Sequence, residues 1–260
     1  MTGQASFDFI QIASDGEPCP VARDVPLERP IALEFNGIGY AVMMATPCDL
    51  EDFATGFALS EQLVADAGQV LGIDCHTTDD GEIVRVTLSS NRSETLLERV
   101  RHRTSDSSCG LCGIESLQQA MRPLPLVPTE AAISTAAVFR ALAGLRDFQP
   151  LNRSTGAVHA AAHCSRHGDI LAVREDVGRH NAFDKLIGAM RRAGADWDGG
   201  FALLSSRCSY ELVEKAALAG CATLVTISAA TDLAISRAQS CGLTLLVLAR
   251  PDSFLKLASA

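Results

Sequence analysis

The chain has 260 residues, 47% of them hydrophobic and 20% charged, which is enough to bury the core of one large domain or two small ones. A net charge of −9 argues against generic binding of nucleic acid or anionic membranes, but leaves room for a small anion held by a few local cations and backbone N–H groups. No apolar run reaches the about eighteen residues of a membrane span. The N-terminus also lacks a basic region followed by an apolar stretch, so a cytoplasmic chain with reduced thiols is expected.

Residues 31–44 read as a β-hairpin turning at Asn36 and Gly37, because an Asn-Gly pair supplies the positive φ angles of a tight turn. Thr46 and Pro47 read as the N-cap and first residue of a helix that runs to about Val64, with Leu50, Phe53, Phe57, Leu59 and Leu63 as its apolar contacts. Residues 82–89 set Ile83, Val84, Val86 and Leu88 among polar neighbours, as a strand does. These features make residues 1–103 a small α+β unit. Residues 104–110 are polar and turn-rich, and residues 114–121 read as a short helix. Pro123, Pro125 and Pro128 stiffen an extended connector. Residues 104–128 are therefore expected to be a mobile loop and connector between two units.

After Thr129 the pattern becomes regular. An Ala-rich helix (131–146) precedes strands at 157–163 and 169–173, joined by a polar turn at 166–168. A helix at 179–193, a strand at 201–204, a helix at 210–219, a strand at 223–227, a helix at 233–240 and a strand at 243–248 complete the series. Alternating strands and helices imply right-handed crossovers and a largely parallel sheet, and the antiparallel opening pair makes that sheet mixed. Residues 129–260 thus read as an α/β domain with a mixed sheet flanked by helices.

Nine cysteines is an odd and high count for a cytoplasmic chain. Cys19, Cys48, Cys75, Cys164, Cys208, Cys221 and Cys241 are scattered singly and read mostly as small buried hydrophobes. Cys109 and Cys112 form the only close pair, with Gly110 and Gly113 beside them removing steric bulk. The thiolate is the reactive species, and a helix N-terminus lowers thiol pKa through its free N–H groups and positive potential. Thiol chemistry, a structural metal and inert thiols all stay open at this point. A zinc site needs two further ligands that no second close pair supplies, and a thioredoxin-like site wants a strand directly before the pair.

Three further constellations carry polar chemistry. His159 lies in the small-residue stretch 155–162 (TGAVHAAA), where it is either a satisfied core histidine or a ligand contact with room beside it. Residues 174–185 follow a strand and open a helix, placing Asp176, Arg179, His180 and Asn181 around Gly178 where α/β proteins bind ligands. Ser205, Ser206 and Arg207, and then Ser228 and Thr231, occupy two more strand-to-helix turns. Helix capping alone would explain the hydroxyls. Two such turns on one sheet edge, one of them with Arg207, would also make an anion-binding rim.

Taken together, these motifs resemble the FdhD/NarQ family of formate dehydrogenase accessory sulfurtransferases. The matching pieces run in order over about residues 30–250: Asn36 and Gly37, 43–45 (MMA), 109–113 (CGLCG), 155–162, 175–180 (EDVGRH), 184–186 (DKL), 205–207 (SSR), 209–211 (SYE) and 228–231 (SAAT). The resemblance implies a cytidine-deaminase-like fold. It implies no deaminase activity, because the Cys pair precedes His159 and Ala161 stands where the general acid/base Glu would be needed. It further implies that Cys109 takes up persulfide sulfur from a cysteine desulfurase. Cys109 would pass that sulfur to the molybdenum of bis(molybdopterin guanine dinucleotide) destined for formate dehydrogenase, with Cys112 assisting or resolving. By the same likeness the cofactor would lie along His159, Asp176, Arg179, His180, Ser206, Arg207, Ser228 and the segment Leu248, Ala249, Arg250, Pro251, Asp252 and Ser253. Asp252 and Ser253 depart from the Gly and basic residues expected there. A large polyanionic cofactor suggests a groove shared by a homodimer, with no resident metal. The alternative from another class is a chaperone that delivers the cofactor without handling sulfur.

Overall fold

The computed structural model describes residues 3–89, 123–129 and 132–258. A two-stranded ribbon opens it, β1 (Gln4–Gln11) against β2 (Cys19–Pro26). Next come β3 (Arg29–Phe35), β4 (Ile38–Ala45), helix α1 (Leu50–Ser60), β5 (Val70–Thr77) and β6 (Glu82–Leu88). These four strands form a sheet in the order β4-β3-β6-β5, with β3 and β6 parallel. The expected hairpin is present, and Asn36 (φ 50°) and Gly37 (φ 78°) both take the left-handed conformation its turn demands. One face of this sheet, with Ile31, Leu33, Phe35, Val84, Val86 and Leu88, buries Phe53 and Phe57 of α1.

The second sheet is larger. Helices α2 (Thr135–Gly144) and α3 (Pro150–Thr155) lead into β7 (His159–Cys164), β8 (Ile170–Asp176) and α4 (Arg179–Arg192). Strands β9 (Phe201–Leu204), β10 (Thr223–Thr226) and β11 (Thr244–Val247) alternate with α5 (Tyr210–Leu218) and α6 (Asp232–Cys241), and β12 (Leu255–Lys256) closes the edge. The order is β12-β11-β10-β9-β7-β8. Strands β9, β10 and β11 are parallel, whereas β7, β8 and β12 run antiparallel to their neighbours. The protein is therefore a mixed-sheet α/β fold. Alternate residues feed opposite faces: Ala161, Ala202, Leu204, Leu224 and Leu245 pack with α4, α5 and α6, while Ala162, Leu203, Val225 and Leu246 pack with α2.

The two sheets meet through α1 and α4, which cross with their backbones in contact. A Cβ on Gly56 would lie 1.8 Å from the Asp184 carbonyl oxygen, and one on Gly188 would lie 1.8 Å from that of Asp52. Polar groups reinforce the crossing. Asp52, almost buried, accepts from Arg174 on β8 (2.7 Å) and Arg192 on α4 (2.6 Å). Asp184, also buried, accepts from Ser60 on α1 and Lys215 on α5, each at 2.7 Å.

Several boundaries differ from expectation. Thr46 and Pro47 do not start α1. The helix begins at Leu50 after Asp49, whose φ of 53° turns the chain, and Thr46 is left free for another task. α1 also stops at Ser60 rather than near Val64. The Ala-rich helix starts at Thr135, where Ser134 accepts from the Ala137 N–H as a true N-cap. The 123–128 connector is anchored: Val127 is buried and its N–H donates to the Cys241 carbonyl at 2.9 Å. Cys19 and Cys75 are exposed rather than buried fillers, while Cys164, Cys208, Cys221 and Cys241 are buried as expected.

The α1–α4 crossing makes one expected outcome quantitative. Gly188→Ala must push two helix backbones apart and should cost about 3 kcal/mol in urea unfolding. A Gly39→Ala control, where nothing lies within 4 Å, should stay within about 0.5 kcal/mol.

Candidate functional site

One edge of the six-stranded sheet collects nearly all the polar motifs. The parallel strands end there at Leu204, Thr226 and Val247. Because β7 is antiparallel to β9, with Ala161 opposite Leu204, its amino end at His159 lies at the same edge. Strand β8 returns there too, so that Asp176 pairs opposite His159. Backbone bonds stitch the turns into a continuous rim: Ser205 N donates to Ala160 O (3.0 Å), Ser228 N to Ser206 O (3.3 Å) and Leu248 N to Ser228 O (3.2 Å). The Ser205 hydroxyl accepts from Ala160 N at 2.8 Å. Leu248 leaves β11 with φ 51°, a conformation L-residues seldom adopt outside functional or tightly determined turns.

Beneath the rim lies a closed polar hub. Asp176 and Lys185 are both fully buried and paired at 2.7 Å. One Asp176 oxygen also accepts from the Thr46 N–H (3.0 Å), and the other accepts from Gly178 N (2.7 Å) and the Asn181 amide (3.0 Å). Lys185 donates to the Thr46 carbonyl at 2.9 Å, and the Thr46 hydroxyl accepts from Val177 N at 3.2 Å. Asn181 donates also to the Met44 carbonyl. Glycine at 178 is required by space, since a Cβ there would meet the Asn181 amide nitrogen at 2.6 Å. The neighbouring Glu175 points the other way and accepts from Leu151 N and Asn152 N, capping α3.

The rim itself is cationic. Burial holds His159 below its ordinary pKa, and nearby Arg179, His180 and Arg207 push the same way against Asp176. His159 is therefore a neutral imidazole among positive charges. Arg207 is exposed, and the Arg179 Nε is buried without a hydrogen bond among the described residues. His180 Nε2 contacts Glu211 at 2.8 Å and the Ser209 hydroxyl at 3.1 Å. Arg250 extends the cationic edge past β11, its N–H donating to the Ser253 carbonyl, while Pro251, Asp252 and Ser253 are exposed.

The structure thus gathers His159, Arg179, His180, Arg207, Ser228 and Leu248 on one edge. Asp176 underlies that edge with its carboxylate committed to internal partners. Ser206 and Ala249 are buried, with their backbones bonded into the turns behind the edge, and the Ser206 hydroxyl donates to the Arg207 carbonyl instead of capping α5. Thr231 does cap its helix, accepting from Ala234 N. Cys109, Cys112 and the helix expected at 114–121 lie outside the described residues. Burial pushes the Cys208 and Cys164 thiols up to about 12, so neither supplies a thiolate near neutral pH. Thr46, Lys185, Ser209 and Glu211 escaped the reading from composition and spacing. Asp176, Gly178 and Asn181 mark the turn in the sequence, whereas Lys185 gives no local sign that it pairs with Asp176.

A stitched strand-to-helix edge, with arginine donors left without hydrogen-bond partners among the described residues, lies where mixed α/β sheets offer a binding crevice. The FdhD/NarQ family profile matches residues 26–258, and the chain belongs to that family. It is 46% identical over 228 residues to the sulfur carrier protein FdhD of Variovorax paradoxus, covering 88% of this chain and 82% of that one. Identity to the protein of the same name from Agrobacterium fabrum is 42% over 241 residues, covering 92% and 89%. A crystal structure described as a formate dehydrogenase accessory protein from Desulfotalea psychrophila superposes with a TM-score of 0.79 at 20% identity, over 99% of this chain and 98% of that one. That likeness concerns the fold. No described helix is long and apolar enough to cross a membrane.

The hub also yields a test. Lys185→Met leaves Asp176 buried without its counter-charge and should cost about 3 to 5 kcal/mol in chemical denaturation. Adding Asp176→Asn should recover a large part of that loss, because no uncompensated charge then remains.

Proposed function

We propose that this chain is a sulfur carrier that moves persulfide sulfur from a cysteine desulfurase to the molybdenum of bis(molybdopterin guanine dinucleotide), as an accessory protein of formate dehydrogenase. The observation that carries the reading is the cationic rim, where Arg179 and Arg207 stand without an ion pair among the described residues at the mouth of three strand-to-helix turns. Its support from kinship is the name sulfur carrier protein shared by relatives over most of the chain. The substrate's guanine dinucleotide arms each carry a diphosphate. Arginine recognises phosphate through a planar fork of donors, and the turns add backbone N–H groups. The cofactor carries two such arms, so two copies of the chain are proposed to share it, one rim to each arm.

The sulfur steps are assigned to Cys109 and Cys112. The Cys109 thiolate attacks the terminal sulfur of the desulfurase persulfide, the bond to the desulfurase cysteine breaks, and that cysteine leaves as thiolate without net oxidation. For delivery, the Cys112 thiolate attacks the Cys109 sulfur and hydrosulfide departs to the metal. Oxidation of the Cys112 thiolate into the Cys109–Cys112 disulfide supplies the two electrons that reduce the outer sulfur to hydrosulfide, and cellular thiols reduce the disulfide again. The rim holds the cofactor in place, and neutral His159 beside Arg179 adds a hydrogen-bonding group without adding charge.

Incubation with a cysteine desulfurase and cysteine should add about 32 Da to the Cys109 peptide, a mass removed by a thiol reductant. The Cys109→Ala chain should stay unlabelled and should not restore formate dehydrogenase activity in a strain lacking the gene. Activity restored by Cys109→Ala, or by the Cys109→Ala/Cys112→Ala double variant, would instead establish a cofactor chaperone that handles no sulfur.

A further inference from the structure

The carboxylate of Glu211 is out of place on an edge meant for anions, and its geometry explains why it is there. Glu211 stands in the first turn of α5, half-buried, with an oxygen 2.8 Å from His180 Nε2. Ser209, the N-cap residue of the same helix, makes no capping bond to the backbone, and its hydroxyl lies 3.1 Å from that same nitrogen. Both partners of the ring therefore sit at Nε2. Nδ1 has no hydrogen bond among the described residues. A ring whose Nε2 proton is held by a carboxylate presents Nδ1 as its free atom, and a phosphate oxygen can bond there only once Nδ1 is protonated.

We infer that Glu211 is a positioning residue: it orients His180 through Nε2 and serves as counter-ion to the imidazolium that forms when a diphosphate binds the rim. The inference rests on the reading of the rim as the seat of a guanine dinucleotide arm. The complex favours the ring with both nitrogens protonated, so a neutral ring takes up one proton on Nδ1 as the diphosphate binds. In the complex one N–H of the ring points to Glu211 and Ser209 and the other to phosphate. The carboxylate thus makes the cation affordable beside Arg179 and Arg207, where a third positive charge would otherwise be disfavoured.

The neighbouring charges leave Glu211 as the partner of the ring. On α4 itself lie Arg179, Asp184 and Lys185. His159 comes from β7, Asp176 from β8, Arg207 from the turn after β9, and Lys215 from α5, with Glu61 of the turn after α1 beside Asp184. Asp176 is closed on Lys185 and Asp184 on Lys215. Burial pushes the Glu211 carboxyl up, but its bond to His180 and the charges of His180, Lys215 and Arg179 bring it below its ordinary value, so it stays ionised near neutral pH.

The test is the affinity of the full chain for guanosine diphosphate across pH, read by calorimetry, together with the ¹⁵N shifts of the His180 ring. Wild-type affinity should fall as pH rises above the histidine range. Glu211→Gln keeps an acceptor for Nε2 but removes the charge, and should shift that fall about one pH unit lower. Near neutral pH the variant should bind about tenfold more weakly, and at about pH 5.5 within twofold of wild type. His180→Gln should leave only the pH dependence of the terminal phosphate of guanosine diphosphate itself, which covers the case of a Glu211 variant that folds poorly. Equal weakening at every pH, or an unchanged profile in both variants, would overturn the inference. Absence of guanosine diphosphate binding by wild type would contradict the rim reading instead. The dyad is then judged by the ring shifts alone: a lower His180 titration midpoint in Glu211→Gln supports it, and an unmoved midpoint overturns it.

Discussion

The buried pair of Asp176 and Lys185 is the constraint on which the rest of the arrangement depends. Two charges removed from water are costly unless every oxygen and proton is satisfied. Here the carboxylate accepts from Thr46, Gly178, Asn181 and Lys185, and the ammonium returns a bond to the Thr46 carbonyl. A pair so enclosed tolerates one geometry. It fixes the end of β8, the start of α4 and the strand-to-helix turn after β4 against one another, and so couples the smaller sheet to the rim of the larger one. The backbone contact of Gly56 and Gly188 adds to this by holding α1 directly against α4. Stability in the ordinary sense comes from the apolar cores; the polar hub supplies registration.

That registration lets an acidic chain carry a cationic edge. The net charge of −9 is spread over the molecule, while the carboxylates nearest the rim are spoken for: Asp176 by Lys185, Asp184 by Lys215 and Glu211 by His180. Arg179 and Arg207 are left without such partners among the described residues. Backbone N–H groups at the turns add donors that carry no net charge. The local field at the edge is therefore set by which charges are paired, which the total cannot reveal.

Much of this was legible in the sequence, and the exceptions have physical causes. Strands β7 to β11 and their helices announce themselves because strand and helix alternate with clear turn residues, and the Asn36–Gly37 turn is fixed by two positive φ angles. The edge positions of His159, Arg179, Arg207 and Ser228 follow from that alternation. The ribbon β1–β2 is mostly exposed, Phe7 and Phe9 included, so it buries no face for a hydrophobic pattern to mark. Thr46 looked like a helix cap because Thr-Pro is a common start. Its backbone and hydroxyl are instead consumed by Asp176, Lys185 and Val177, partners about 130 residues away that no local pattern encodes. Glu211 was hidden for the same reason, since an acidic residue in a first helical turn needs no further explanation until His180 is seen beside it.

The most direct measurement follows radiolabelled sulfur from cysteine, through a desulfurase and this chain, to the cofactor of formate dehydrogenase. The account predicts label on the cofactor with the wild-type chain. It predicts label stalled on Cys109 when Arg179 and Arg207 are both changed to Gln, and none on the chain with Cys109→Ala. Label reaching the cofactor undiminished with either variant would contradict it.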